Sequence, residues 1–69
     1  MIYIFRTSVN TEKDVQKLKP YLNELLQQEK WNFDLDDCDK ILRIDSRNEI
    51  SKAVTKLMHI TGFACEELY

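Results

Sequence analysis

Trp31-Asn32-Phe33-Asp34-Leu35-Asp36, followed after a polar turn by Ile41-Leu42-Arg43-Ile44-Asp45, is the stretch that decides the fold. In the first run apolar and polar residues alternate strictly, which in a strand sends Trp31, Phe33 and Leu35 to one face and the polar three to the other. Asp36-Asp37-Cys38-Asp39-Lys40 is a polar turn, and Ile41 to Asp45 returns as a second strand, so the middle of the chain reads as a hairpin. Both flanks are helical. Upstream, Val15, Leu18, Leu22, Leu25 and Leu26 fall on one face at about 3.6 residues per turn. Downstream, Ile50, Ala53, Val54, Leu57, Met58 and Thr61 form a second stripe. Ser46-Arg47-Asn48-Glu49 precedes it with capping-box spacing, and Gly62 is placed to stop it.

At the outer ends the pattern returns to strands. Residues 1 to 6 are rich in Ile, Tyr and Phe with apolar groups on both faces, which predicts a buried central strand. Thr7 to Asn10 turn the chain, either Asn10 or Thr11 is the N-cap of the first helix, and Glu12 and Asp14 favour its positive end. Pro20 falls opposite the apolar stripe; there it either bends one helix around the sheet or divides it into two short helices near Lys19. Phe63 to Tyr69 reads as a last strand. The order β-α-β-β-α-β predicts an α+β, ferredoxin-like domain over residues 1–69, a four-stranded antiparallel sheet of order 4-1-3-2 with two helices on one face.

Composition narrows the function classes. Sixty-nine residues, 43% of them hydrophobic with one Gly and one Pro, make a single small globular domain rather than a linker. A net charge of −2 with scattered Lys and Arg is the wrong footprint for nucleic acid, and no apolar run is long enough to cross a membrane. The apolar start ends at Arg6, short of a signal-peptide pattern, and two distant cysteines read as reduced thiols, so a cytoplasmic domain is expected.

Val9-Asn10-Thr11-Glu12-Lys13-Asp14-Val15 resembles the metal loop of the heavy-metal-associated (copper-chaperone-like) domain family with its cysteines removed. That loop reads Met-x-Cys-x-x-Cys and then an apolar residue; here Val9 stands for the methionine, Thr11 and Asp14 for the cysteines, Val15 for the apolar residue. The resemblance extends to Val15, Leu18 and Leu22 after the loop, to the alternating Trp31–Leu35 strand, and to Gly62-Phe63 followed by a short acidic strand. The first strand departs from it, since Arg6 falls on a family core position. The loop is therefore read as one residue longer, with Tyr3 and Phe5 inward. A hydroxyl and a carboxylate do not replace two thiolates for a soft ion. The resemblance thus implies the family's fold without its Cu(I) or Zn(II) site, hence no cofactor and no metal ligands.

The expected function is a small non-enzymatic interaction module for a protein partner. Its candidate docking residues, at the loop end of the fold, are Val9, Thr11, Asp14, Cys38 and Phe63. A homodimer through the open sheet face is the second expectation, with Ile2, Ile4 and Ile41 exposed together. The alternative is a copper or zinc carrier with altered ligands centred on Cys38 and shared across a dimer. Cys65 is expected in the core, and His59 on the solvent side of the second helix. Asp34, Asp36, Asp37 and Asp39 lack the glycine and distal glutamate of a calcium loop and read as a solvated turn or an acidic docking surface. No nucleophile–base pair, phosphate loop or catalytic carboxylate pair is recognisable, so no enzymatic activity is expected.

Overall fold

A strand with apolar groups on both faces needs neighbours on both edges, and that is where the first strand sits. The computed structural model describes residues 1–27, 29–36 and 38–68. Its elements are β1 (Ile2–Thr7), α1 (Glu12–Leu25), β2 (Lys30–Asp34), β3 (Ile41–Asp45), α2 (Ser51–Ile60) and β4 (Cys65–Glu67). The sheet runs β2-β3-β1-β4, which is the expected order read from its other edge, and every neighbouring pair is antiparallel. Tyr3 lies opposite Ile44 and Phe5 opposite Leu42, while Trp31 and Phe33 face the same two β3 residues from the other side. These side chains share one face. Leu18, Leu22 and Leu26 from the first helical segment and Val54 and Met58 from α2 join them in a single core, so both helices cover that face. The arrangement is ferredoxin-like.

Local chemistry explains where each element begins and ends. Thr11 has extended backbone angles, and its hydroxyl accepts the Asp14 N–H, capping α1. Pro20 lies inside a continuous α1 and is exposed, so the lost backbone hydrogen bond falls on the solvent side and the helix survives it. Leu26 closes the helix by donating to the Leu22 carbonyl, and its side chain is buried while that of Leu25 is turned outward. Gly62 ends α2 at φ +93, where the Gly62 and Phe63 amides return to the His59 and Met58 carbonyls in a Schellman motif.

Three expectations are corrected. The Ser46–Glu49 capping box does not form. Ser46 is buried, and its hydroxyl bonds to Asn48 in a turn of its own; the Glu49 carboxylate instead accepts the Ser51 N–H and hydroxyl at the start of α2. These bonds, with Lys52 nearby, hold the Glu49 carboxyl below the ordinary range against its partial desolvation. The last strand is shorter than Phe63–Tyr69, being limited to Cys65–Glu67, with Tyr69 outside the described residues. The open sheet face is not an apolar row. Ile2 is 52% exposed, Ile4 is half-buried and Ile41 is only 8% exposed, in register with Arg6 and Asp34, among charged neighbours at Arg43, Asp45 and Lys30.

Leu22 is fully buried where α1 meets the sheet. Leu22→Ala is expected to lower the unfolding free energy by about 3 kcal/mol in urea titration. That is most of the roughly 3–5 kcal/mol that a core of this size supplies. A loss below about 1 kcal/mol would place Leu22 outside a close-packed core.

Candidate functional site

Two adjacent residues at the end of β1 draw three loops together. Thr7 is buried. Its amide donates to the Asp39 and Lys40 carbonyls at 3.3 and 3.2 Å, and its hydroxyl donates to the Lys40 carbonyl at 2.6 Å. Its hydroxyl also accepts the Val9 amide at 3.2 Å. Ser8 grips the other neighbour: its amide donates to the Ala64 carbonyl at 3.2 Å, and its hydroxyl accepts the Ala64 amide at 2.9 Å. The β1–α1 loop, the β2–β3 hairpin tip and the α2–β4 loop are thereby fixed to one another at one end of the sheet. Lys40 has a positive φ of 53, a conformation costly for a side chain with a Cβ. The bonds to Thr7, together with one from the Lys40 ammonium to the Leu35 carbonyl at 3.0 Å, hold it there.

The five candidate docking residues divide on this platform. Val9 is fully buried and belongs to the core, so it cannot face a partner; its position directly after the Thr7–Ser8 clamp forces it under α1 and α2. Thr11 is exposed and Asp14 half-exposed, and they are bonded through the helix cap. Asp14 also reaches back to accept the Asn10 amide at 3.4 Å, which makes the pair a near relative of the capping box. Cys38 is exposed on the hairpin tip. Phe63 is half-buried, with part of its ring packed on the core. Asp37, assigned to the acidic turn from the sequence, lies outside the described residues.

The cap chemistry accounts for Thr11 and Asp14 without reference to a metal. A helix start leaves its first amides without partners; the Thr11 hydroxyl accepts one of them, from Asp14, and the Asp14 carboxylate accepts the amide of Asn10 just before the cap. Among the described residues, no group of three or more His, Cys, Asp or Glu side chains is close enough to hold a metal ion. No helix among them is long and apolar enough to cross a membrane. Compared with family models, curated proteins and solved structures, the chain gives no match in any of the three.

The two thiols differ in environment. Cys65 is buried on β4, and desolvation pushes its pKa up to about 11 despite a hydrogen bond with Thr55, with Glu67 adding to the rise. His59, on α2, is exposed, as its helical position implied. Sequence reading missed Thr7, Ser8 and Lys40. Thr7 and Ser8 look like any polar turn there, and nothing in a lysine signals a left-handed backbone.

Three outcomes follow. Thr11→Ala is expected to cost about 1 kcal/mol of stability, and Thr11→Ser much less; equal losses measured by thermal unfolding would contradict capping. At pH 8 a thiol reagent should label Cys38 quickly and leave Cys65 untouched. Because the folded pKa of Cys65 lies above its unfolded value, its contribution to stability is complete below about pH 8.5 and declines as pH rises toward about 11. Denaturant midpoints that stay flat across that window in the native chain, or that fall equally in Cys65→Ala, would contradict the assignment.

Proposed function

We propose that this chain is a small non-enzymatic interaction module that docks a protein partner on its loop end. In this reading it shares its plan with the heavy-metal-associated domain, and the positions that would carry soft-metal ligands serve instead to cap α1. The observation that supports it is the clamp at Thr7 and Ser8, which ties three loops into one preformed surface. A surface ordered before encounter loses less conformational entropy on binding than three independent loops would. Of the residues available on it, Thr11, Cys38 and the outer part of Phe63 are accessible, with Asp14 at its margin and Asp36 adding negative charge. That charge favours a partner with a basic contact surface, mainly through encounter rate and specificity.

Native mass spectrometry of the reduced protein with stoichiometric Cu(I) and Zn(II) tests the metal-free part of the proposal. The expected spectrum shows the unmetallated chain. Metal retained at fixed stoichiometry and lost in Cys38→Ser would overturn it in favour of a carrier centred on Cys38. The docking part is tested by attaching a photo-crosslinker to Cys38 in an extract of the cells that make the protein. A single discrete adduct, abolished by Asp36→Lys, is expected; no adduct, or one indifferent to that substitution, would refute docking at this end.

A further inference from the structure

The outer surface of the helical layer carries a feature that the loop end does not use and that meets the core only through Leu57. Tyr21 and Leu25 on α1 and Ala53, Leu57 and Ile60 on α2 line one shallow groove between the helices. Tyr21 is 52% exposed, Leu25 40% and Ile60 72%, so three large apolar side chains stand in water within a single depression. On α2 the apolar residues recur at intervals of four and three (Ala53, Leu57, Ile60), and on α1 Tyr21 and Leu25 lie four apart, so the two helices present adjoining apolar faces to the groove, with Leu57 reaching from it to the core. A contiguous apolar patch of this kind on a small domain is a recognition surface more often than a solvated one. Two charges share the groove: Glu24 on α1 and Lys56 on α2.

From this geometry we infer that the groove is the interface of a symmetric homodimer, in which α1 of each copy lies across α2 of the other. The charges select both the occupant and the symmetry. The groove carries one charge on each wall, Glu24 on α1 and Lys56 on α2, so with respect to these two groups the surface is complementary to itself. The helices run antiparallel, since α1 leaves the loop end and α2 returns to it. A two-fold axis parallel to the helices sets Glu24 against Lys56 of the second copy, twice per interface. A two-fold axis perpendicular to them sets α1 on α1 and brings Glu24 to Glu24 and Lys56 to Lys56, a repulsive arrangement. The favoured axis keeps the chain direction of both copies, so the two loop ends emerge on the same side of the dimer.

This interface does not depend on the loop-end reading, because it uses none of the same residues. A monomeric chain would refute the dimer and leave docking at Cys38 intact. Sedimentation velocity over a concentration series supplies the test. The expected species has twice the 8.3 kDa chain mass. Ile60→Glu, at an exposed position, should return it to monomer with the far-ultraviolet circular dichroism unchanged. Glu24→Lys and Lys56→Glu should each weaken association by about tenfold, and the two together should restore it. A monomer at every concentration up to about 1 mM would overturn the proposal. So would a dimer indifferent to Ile60→Glu, or a double charge reversal no tighter than the single ones. Spin labels on Cys38 give the orientation through their separation: loop ends on one side bring the two labels nearer than loop ends on opposite sides would, and the longer separation in a proven dimer would overturn the parallel axis.

Discussion

The register of β1 against β3, with Tyr3 opposite Ile44 and Phe5 opposite Leu42, determines which face of the sheet is dry. A slip of one residue would carry Ile2, Ile4 and Arg6 to the helical side and turn Phe5 into water. Everything built on the sheet assumes that register. β2 copies it through β3, bringing Trp31 and Phe33 to the same face, where their rings meet edge to face at 5.9 Å. β4 reads it from the other side, and Cys65 opposite Thr7 reaches the core as a small apolar group. The Arg6–Glu66 ion pair at 2.8 Å marks the same alignment on the open face, but it is exposed and adds little energy.

Much of this was legible in the chain, because periodic burial is written in periodic hydrophobicity. The alternation at Trp31–Leu35, the stripes through Leu18 and Leu22 and through Val54 and Met58, and Gly62 after the last turn all led to the observed elements. What the pattern did not carry was decided by bonds between segments far apart. Ser46 and Glu49 have the right spacing for a capping box, yet Ser46 bonds within its own turn because the chain leaving β3 has not reached helical geometry at that point. Ile41 alternates with Leu42 as an open-face residue should, and its cover comes from neighbouring strands that no linear pattern records. The loop end was located by topology alone. Its stiffness depends on Thr7 meeting Lys40 and Ser8 meeting Ala64, partners that sequence spacing does not reveal.

The β1–α1 junction illustrates how one position can answer two different chemical demands. A loop entering a helix presents amides without partners and the positive end of the dipole. Thiolates placed there gain from that field, and so do the Thr11 hydroxyl and the Asp14 carboxylate, which the amides themselves engage. Substituting the side chains changes what is bound without changing the backbone that binds it. In this chain the Thr11 hydroxyl and the Asp14 carboxylate satisfy the backbone there.

The pairing of β1 with β4 joins Arg6 to Glu66, a separation nearly as long as the chain described here. Such a contact closes a loop of about sixty residues, and the chain entropy lost in closing it is recovered only once the strands have met. During synthesis, one edge of the central strand therefore waits, unpaired, until Cys65–Glu67 have left the ribosome. An exposed central edge is an invitation to wrong partners. The shortness of β4 shapes that interval: three residues are quick to dock once made, but they hold the edge by few bonds and leave it the first part of the sheet to reopen.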